Sequence, residues 1–308
     1  VYEREVAAYL KDPWQARDEY ISVILDRSRA NVARYLSEHA VRQLSKEDEA
    51  KVLKLLEMQR HLMLMYSSCG WFFEDISGIE TVQIMCSASR AMQLAREVAS
   101  VDLEPDYLER IEAAPGNTSQ FNSGADVYQM LVKPVTVDLP KVAAHYALSS
   151  LFEEYPETTR VFCYTAHRET YDLTEAGLQR LAVGRANIHS DLTWEESTVG
   201  FAVLSLGDHN LIGGAREWGK DELFSLMHRE VRAAFLKSDI PQVLELINKH
   251  FSTHGYSLRH LFKDKQRQVL NRVFDSALRE IEAAFRQIVE RHYPIMQVMT
   301  EMRIPLPK

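Results

Sequence analysis

The stretch Ser67-Ser68-Cys69-Gly70-Trp71-Phe72-Phe73-Glu74-Asp75-Ile76-Ser77-Gly78-Ile79-Glu80 sets three successive aromatics between glycines and carboxylates. An aromatic face stacks on the apolar C–H face of a sugar ring, and carboxylates beside it accept hydroxyl protons. Trp71, Phe72, Glu74 and Asp75 are therefore candidate carbohydrate contacts. The same residue types also fit a helix–helix corner in which the aromatics plug the core and Ser77 caps the next helix. Glu74 and Asp75 do not form a glycosidase pair. Two such carboxyls must flank the scissile bond at about 5–5.5 Å or 6.5–9.5 Å, and neighbours on one element point apart.

The histidines offer less. His209 lies in Gly207-Asp208-His209-Asn210, a hairpin turn by composition. His250 and His254 stand four apart, but there is no H-E-x-x-H and no evident third zinc ligand. His61, in a Met-rich helix, reads as a partnered core or interface histidine. Neither a metal nor a cofactor is expected. G-x-S-x-G, P-loop and G-x-G-x-x-G patterns are absent, and Gly213-Gly214 is too short for a phosphate cradle. Asn117-Thr118-Ser119 matches a glycosylation sequon and reads as coincidence.

The elements that would hold these residues begin with helices. Asp12-Pro13 is a start signal, followed by apolar residues at helical spacing from Tyr20 to Leu36. Ser45 and Asp48 form a capping box for a helix that Gly70 ends or breaks, and Ser77-x-x-Glu80 opens the next with Ile79, Val82, Met85 and Met92 inward. A short helix follows near Tyr107 to Ala113, then a Gly/Asn/Ser loop from Pro115 to Gly124 and a helix from Val142 to Phe152. Strand-like segments then run over Arg160–Ala166, Glu169–Leu173, Gln179–Leu192, Val199–Leu206 and Asn210–Ala215, with short turns. Their order implies an antiparallel meander. Helices return over Leu223–Leu236, from Asp239 to Phe251, and from Asp264 to Tyr293, where Pro294 interrupts. The expected fold is α+β, mainly α: a helical bundle with a small antiparallel meander between N- and C-terminal helices. The parts are 1–125 (helical), 126–218 (mixed, with the sheet) and 219–308 (helices packing back on the N-terminal ones).

The chain has 308 residues, 46% of them apolar, enough for a sizeable core. Its net charge of −8 argues against nucleic-acid or anionic-membrane partners, but not against a neutral sugar chain. No apolar run reaches the ~20 residues needed to span a bilayer. Three cysteines without a C-x-x-C suggest a reducing, cytoplasmic setting. The chain opens on Val1 with no signal peptide, which reads as a piece cut from a longer protein or a processed one.

Met58-Gln59-Arg60-His61 followed by Tyr66-x-Ser68-Cys69-Gly70-Trp71-Phe72-Phe73-Glu74-Asp75-Ile76-Ser77-Gly78-Ile79-Glu80-Thr81-Val82-Gln83 resembles the domain of unknown function found C-terminal to family 57 glycoside hydrolase barrels. Three stretches agree: Ala16-Arg17-Asp18 to Ser28, Leu206-Gly207-Asp208-His209-Asn210-Leu211-x-Gly213-Gly214, and Leu261-Phe262 to Gln266-Arg267. The resemblance implies an incomplete catalytic barrel on the N-terminal side, carrying a glutamate nucleophile and an aspartate acid. A helical region closes over its active-site face. Related enzymes carry a Ser-Asp-Trp-Pro-Phe-like block near the bound glucan. Trp71 corresponds to its tryptophan, whereas Gly70 and Phe72 depart from it. His209 joins the candidate substrate contacts through this resemblance.

The expectation is a non-catalytic C-terminal region of a family 57-like glycoside hydrolase acting on α-glucans, completing the sugar-binding face of the parent's barrel. Its partners would be that barrel and carbohydrate. The alternatives are a free-standing carbohydrate- or protein-binding module, or an autonomous helical enzyme using Glu74, Asp75 or His209.

Overall fold

The computed structural model describes residues 1–207, 210–218, 221–251 and 255–305, the side chains of 276 and 277 excepted. The fold is mainly α with one antiparallel sheet, as the periodicities imply.

The N-terminal helices are α1 (Tyr2–Val6), α2 (Pro13–Glu19), α3 (Ile21–Leu25), α4 (Arg29–His39), α5 (Lys46–Leu64), α6 (Cys69–Phe72), α7 (Ile79–Ala99) and α8 (Glu104–Glu112). The start signals work as read. Asp12 accepts from the Trp14 and Gln15 amides, both at 3.0 Å, and Ser45 and Asp48 exchange both bonds of a capping box. Apolar residues from α1 to α5 and α7 close one core, around Leu53, Leu55, Leu56 and Leu94. Inside it the buried Glu57 carboxylate accepts from Tyr20 (2.7 Å), Arg27 (2.6 Å) and Arg60 (3.1 Å). Burial pulls that carboxyl upward, but the Arg27 charge and these bonds outweigh it and hold it below its ordinary value. The Asp26-Arg27-Ser28 stretch is thus structural at its arginine.

A second small core joins Met85 and Met92 of α7 to Phe121 and to Val127, Tyr128 and Val132 in and after α9 (Gly124–Val127). Helical structure thus continues into the part read as mixed from 126. Helix α10 (Leu139–Ser150) follows, capped by Asp138, whose side chain accepts from the Lys141 amide at 2.8 Å.

The sheet is a meander of β1 (Thr158–Val161), β2 (Tyr164–Ala176), β3 (Gln179–Ser190), β4 (Glu196–Ser205), β5 (Leu211–Glu217) and β6 (Gly255–Ser257), in that order. The strand read over 160–166 is two: Phe162 takes a left-handed φ of 56°, and the chain turns there. Period-2 alternation sends Ala182, Phe201 and Val203 to α10, and Leu181, Val183, Ala202 and Leu204 to the other face. That second face is covered by α11 (Asp221–Leu236) and α12 (Ile240–Phe251), inserted between β5 and β6. These helices pack on the sheet, not back on the N-terminal helices as the sequence reading had them, because their apolar stripes meet the second apolar face of β3 and β4. Gly214 explains the Gly-Gly pair: a Cβ there would stand 2.3 Å from Phe251 Cβ, so glycine lets α12 lie against β5.

Helix α13 (Lys263–Glu301) ends the described chain. Its first turns are anchored by Val269 in the core, by Lys265 to Glu153 (2.5 Å) and by Arg272 to the Phe152 carbonyl (2.6 Å). Pro294 sits inside this helix and does not end it, in contrast to the sequence reading; with no N–H to donate, it forfeits one backbone bond of the helix. Among the described residues no helix is long and apolar enough to cross a membrane.

Candidate functional site

The connection from α5 to α7 holds four of the five candidate residues. Helix α5 ends at Leu64, six residues before the expected break at Gly70, and Gly70 lies inside the four-residue α6. A Cβ on Gly70 would meet Ile84 Cγ1 at 3.0 Å, so glycine sets α6 close on α7. That approach turns the aromatic ends outward. Trp71 is 76% exposed, Phe72 70% and Phe73 48%, and the two phenylalanine rings meet edge to face at 5.1 Å. Tyr66 on the same connection, and Met63, Leu64 and Ile79 at the helix ends that flank it, are exposed too. Ile79 was expected inward; it occupies the first position of α7, beyond the packed stripe.

The polar residues here fix the backbone. Asp75 Oδ1 accepts from the Ser77 amide (2.9 Å) and hydroxyl (2.8 Å), and the Asp75 carbonyl accepts from Thr81 Oγ1 at 3.4 Å. This turn occupies Ser77, so the capping box expected with Glu80 does not form, and Gly78 is the N-cap. Asn117 donates its side-chain N–H to the Glu74 carbonyl, tying the 115–124 loop to the corner. The Glu74 side chain is exposed. The result is an outward-facing aromatic surface with the exposed Glu74 carboxylate beside it. It can stack on an apolar ring face and accept hydroxyl protons. The neighbouring carboxylates do not face one another across a cleft.

His209 lies outside the described residues, as does His254. His250 Nε2 instead bonds Glu230 at 3.1 Å. Among the described residues no group of three or more His, Cys, Asp or Glu could hold a metal ion. His61 is pushed down to about 4, first by burial, and its Nδ1 has no hydrogen-bond partner.

A separate open cleft of about 1090 Å³ lies between α4, α5 and α7 and the ends of β2, β3 and β4. Lys54 reaches across it to Glu97 of α7 (3.0 Å) and to Glu195 of the β3–β4 turn. Trp194 holds that turn with a φ of 56°, and the Arg29 guanidinium lies 5.6 Å over its ring. Asp191 accepts from Thr165 Oγ1 at 3.0 Å. Lys54 stands between Glu97 and Glu195, so these carboxylates neutralise an ammonium and do not flank an empty space. In the sequence this segment, Thr193 to Ser197, is only one of the short turns between strand-like stretches. The available signal was a tryptophan followed by two glutamates, the same pairing that marked Trp71.

Residues 1–262 match the family described as Domain of unknown function (DUF3536). No curated protein and no solved structure matches the chain.

Proposed function

The chain belongs to the DUF3536 family, and from that footing we propose that it is a non-catalytic carbohydrate-contacting region that works beside a family 57-like glycoside hydrolase barrel acting on α-glucans. The observation that carries this is the outward-facing corner of Trp71, Phe72 and Phe73, held from behind by Gly70 on Ile84, the Asp75–Ser77 turn and Asn117. Large aromatics are seldom left in water in such a group unless something covers them. The Cys-Gly-Trp-Phe-Phe block and its likeness to the region after family 57 barrels add the sugar and the barrel. On this reading the catalytic carboxylates belong to the barrel, and the chain by itself does not cleave maltooligosaccharides or amylose. Turnover abolished by Glu74→Gln or Asp75→Asn would overturn that.

A free-standing binding module is favoured by one observation, the cleft that gathers Trp194 with Asp191, Glu195 and Lys54. Calorimetric titration with maltoheptaose separates the two. Binding lost in Trp71→Ala and kept in Trp194→Ala supports the corner. The reverse assigns the sugar to the cleft, and no binding to the chain or to the barrel-bearing parent removes carbohydrate altogether.

A further inference from the structure

Residues 136–138 divide the apolar interior. Two cores, around Leu56 and around Tyr128, are built from buried residues no later than Val132. The other two, around Phe201 and around Phe235, hold none earlier than Leu139. One partly buried side chain crosses: Trp194 packs against the core around Leu56. The chain thus has a helical body, 1–135, and a sheet body, 139–273, joined by a single pass of backbone.

The joint between them is polar and incompletely filled. Beside the linker is a space of about 200 Å³, lined by Arg90 and Glu97 of α7 and by Asp138, Tyr164 and Glu195. The cleft of about 1090 Å³ adjoins it, because Glu97 and Glu195 line both spaces. Lys54 bonds both carboxylates at that point. Among the described residues outside the linker, Lys54 to Glu195 is the one ion pair or hydrogen bond that joins the bodies. The linker is held on its α7 side: Thr136 Oγ1 lies 3.3 Å from Ser89 Oγ, and Gln93 donates to the Val137 carbonyl at 3.0 Å. Asp138 comes next, extended at φ −128° and ψ 173°, and caps α10.

We propose that the two bodies form a jaw that opens and closes about Asp138, with Lys54 as its latch. Joints between bodies of one chain are mobile unless large and apolar, and this one is polar. Hinges are a few element-terminal residues that absorb the change in φ and ψ, and Asp138 is one. The latch is built to release. Lys54 and Glu97 both belong to the helical body, and Glu195 belongs to the sheet body. Opening therefore parts the ammonium from Glu195 while Glu97 moves with it, so the cation keeps a counter-charge throughout. The jaw stands whichever surface takes the sugar.

Pulsed electron spin resonance on the full chain tests this, with its three native cysteines changed to serine. Nitroxides on Glu38→Cys and Glu157→Cys, both exposed and neither lining the cleft, report across the bodies. Labels at 38 and 109 report within the helical body, and labels at 157 and 237 within the sheet body. The distance across the bodies should be more broadly distributed than either internal one. Lys54→Met should shift it by more than the width of the wild-type peak, with the internal distances unchanged, and Lys54→Arg should restore it. Small-angle scattering of the chain with its native cysteines, wild type against Lys54→Met, reads the same motion without labels as a larger radius of gyration. A cross-body distance as narrow as the internal ones and unmoved by Lys54→Met overturns the jaw. A broad distance that Lys54→Met leaves alone, or internal distances lost in that variant, overturns Lys54 as the latch.

Discussion

Trp71 stands on a four-residue helix whose contact with α7 runs through Gly70, so its ring adds little to the core. Truncating a core aromatic costs about 3–5 kcal/mol. Trp71→Ala should cost well under that in a thermal melt while, on the proposed function, weakening glucan binding by the barrel-bearing parent by about two- to tenfold, since stacking contributes about 0.5–1.5 kcal/mol. A large melting loss with unchanged affinity would make Trp71 a packing residue. His145 is its opposite: 3% exposed, stacked on Phe262 at 4.2 Å, and accepting the Phe262 amide on Nδ1 at 3.1 Å. Burial, then the Lys265 charge, pushes it down to about 4. An unfolded histidine titrates near 6.5, so between these values the unfolded chain binds more protons. The stability held by neutral His145 is complete above about pH 6.5 and is lost as pH falls toward 4, by up to about 3 kcal/mol. His145→Asn keeps an acceptor for the amide without titrating there. Urea unfolding from pH 7 to 4 should then lose about one proton's worth of slope, and an unchanged slope would refute the assignment.

Helix boundaries were legible where one side chain decides them. Asp12 and Ser45 cap as their spacing says, and Ser45→Ala should cost about 1 kcal/mol in chemical denaturation. Ser77→Ala should not cost a helix cap, because Asp75 already holds Ser77 and the amide turn survives the loss of the hydroxyl; equal losses at 45 and 77 would contradict this. That competition between two nearby acceptors was invisible in the spacing Ser77-x-x-Glu80. The turn at Phe162 was hidden too, because a left-handed phenylalanine carries no glycine or asparagine signal. β6, three residues long, pairs with β5 only after the two intervening helices return the chain, which no local window reports. Gly213-Gly214 was set aside as too short for a phosphate cradle, with no packing role read for it, yet Gly214 is a packing requirement. Gly214→Ala should destabilise by about 1–3 kcal/mol through the Phe251 clash, and a neutral effect would mean α12 can shift.

Over the whole molecule, the class was legible because helical and alternating periodicities are separated along the chain; the packing of α11 and α12 was not, since both available surfaces are apolar. Of the candidate site, the aromatic corner could be read from Gly70 and Trp71, while the cleft could not, because Lys54, Glu97 and Glu195 meet only in three dimensions. Lys54 links the N-terminal helices to the sheet and is largely buried. Lys54→Met leaves Glu195 without this cation and Glu97 with only Arg90 at 3.9 Å, and should cost about 1–3 kcal/mol, with Glu97→Gln and Glu195→Gln added to it recovering part of the loss. No recovery in the triple variant would show the ammonium acting through its stem. Helix α10 carries buried residues on every side, from Leu139 through Ser150. Its covering is made by residues that follow it: β2 to β5 and then Tyr256 and Leu261. During synthesis at about 5–20 residues per second, this mostly apolar helix therefore waits several seconds for strands not yet made. A nascent chain halted before β5 would expose it, and chaperone capture should be strongest at that length.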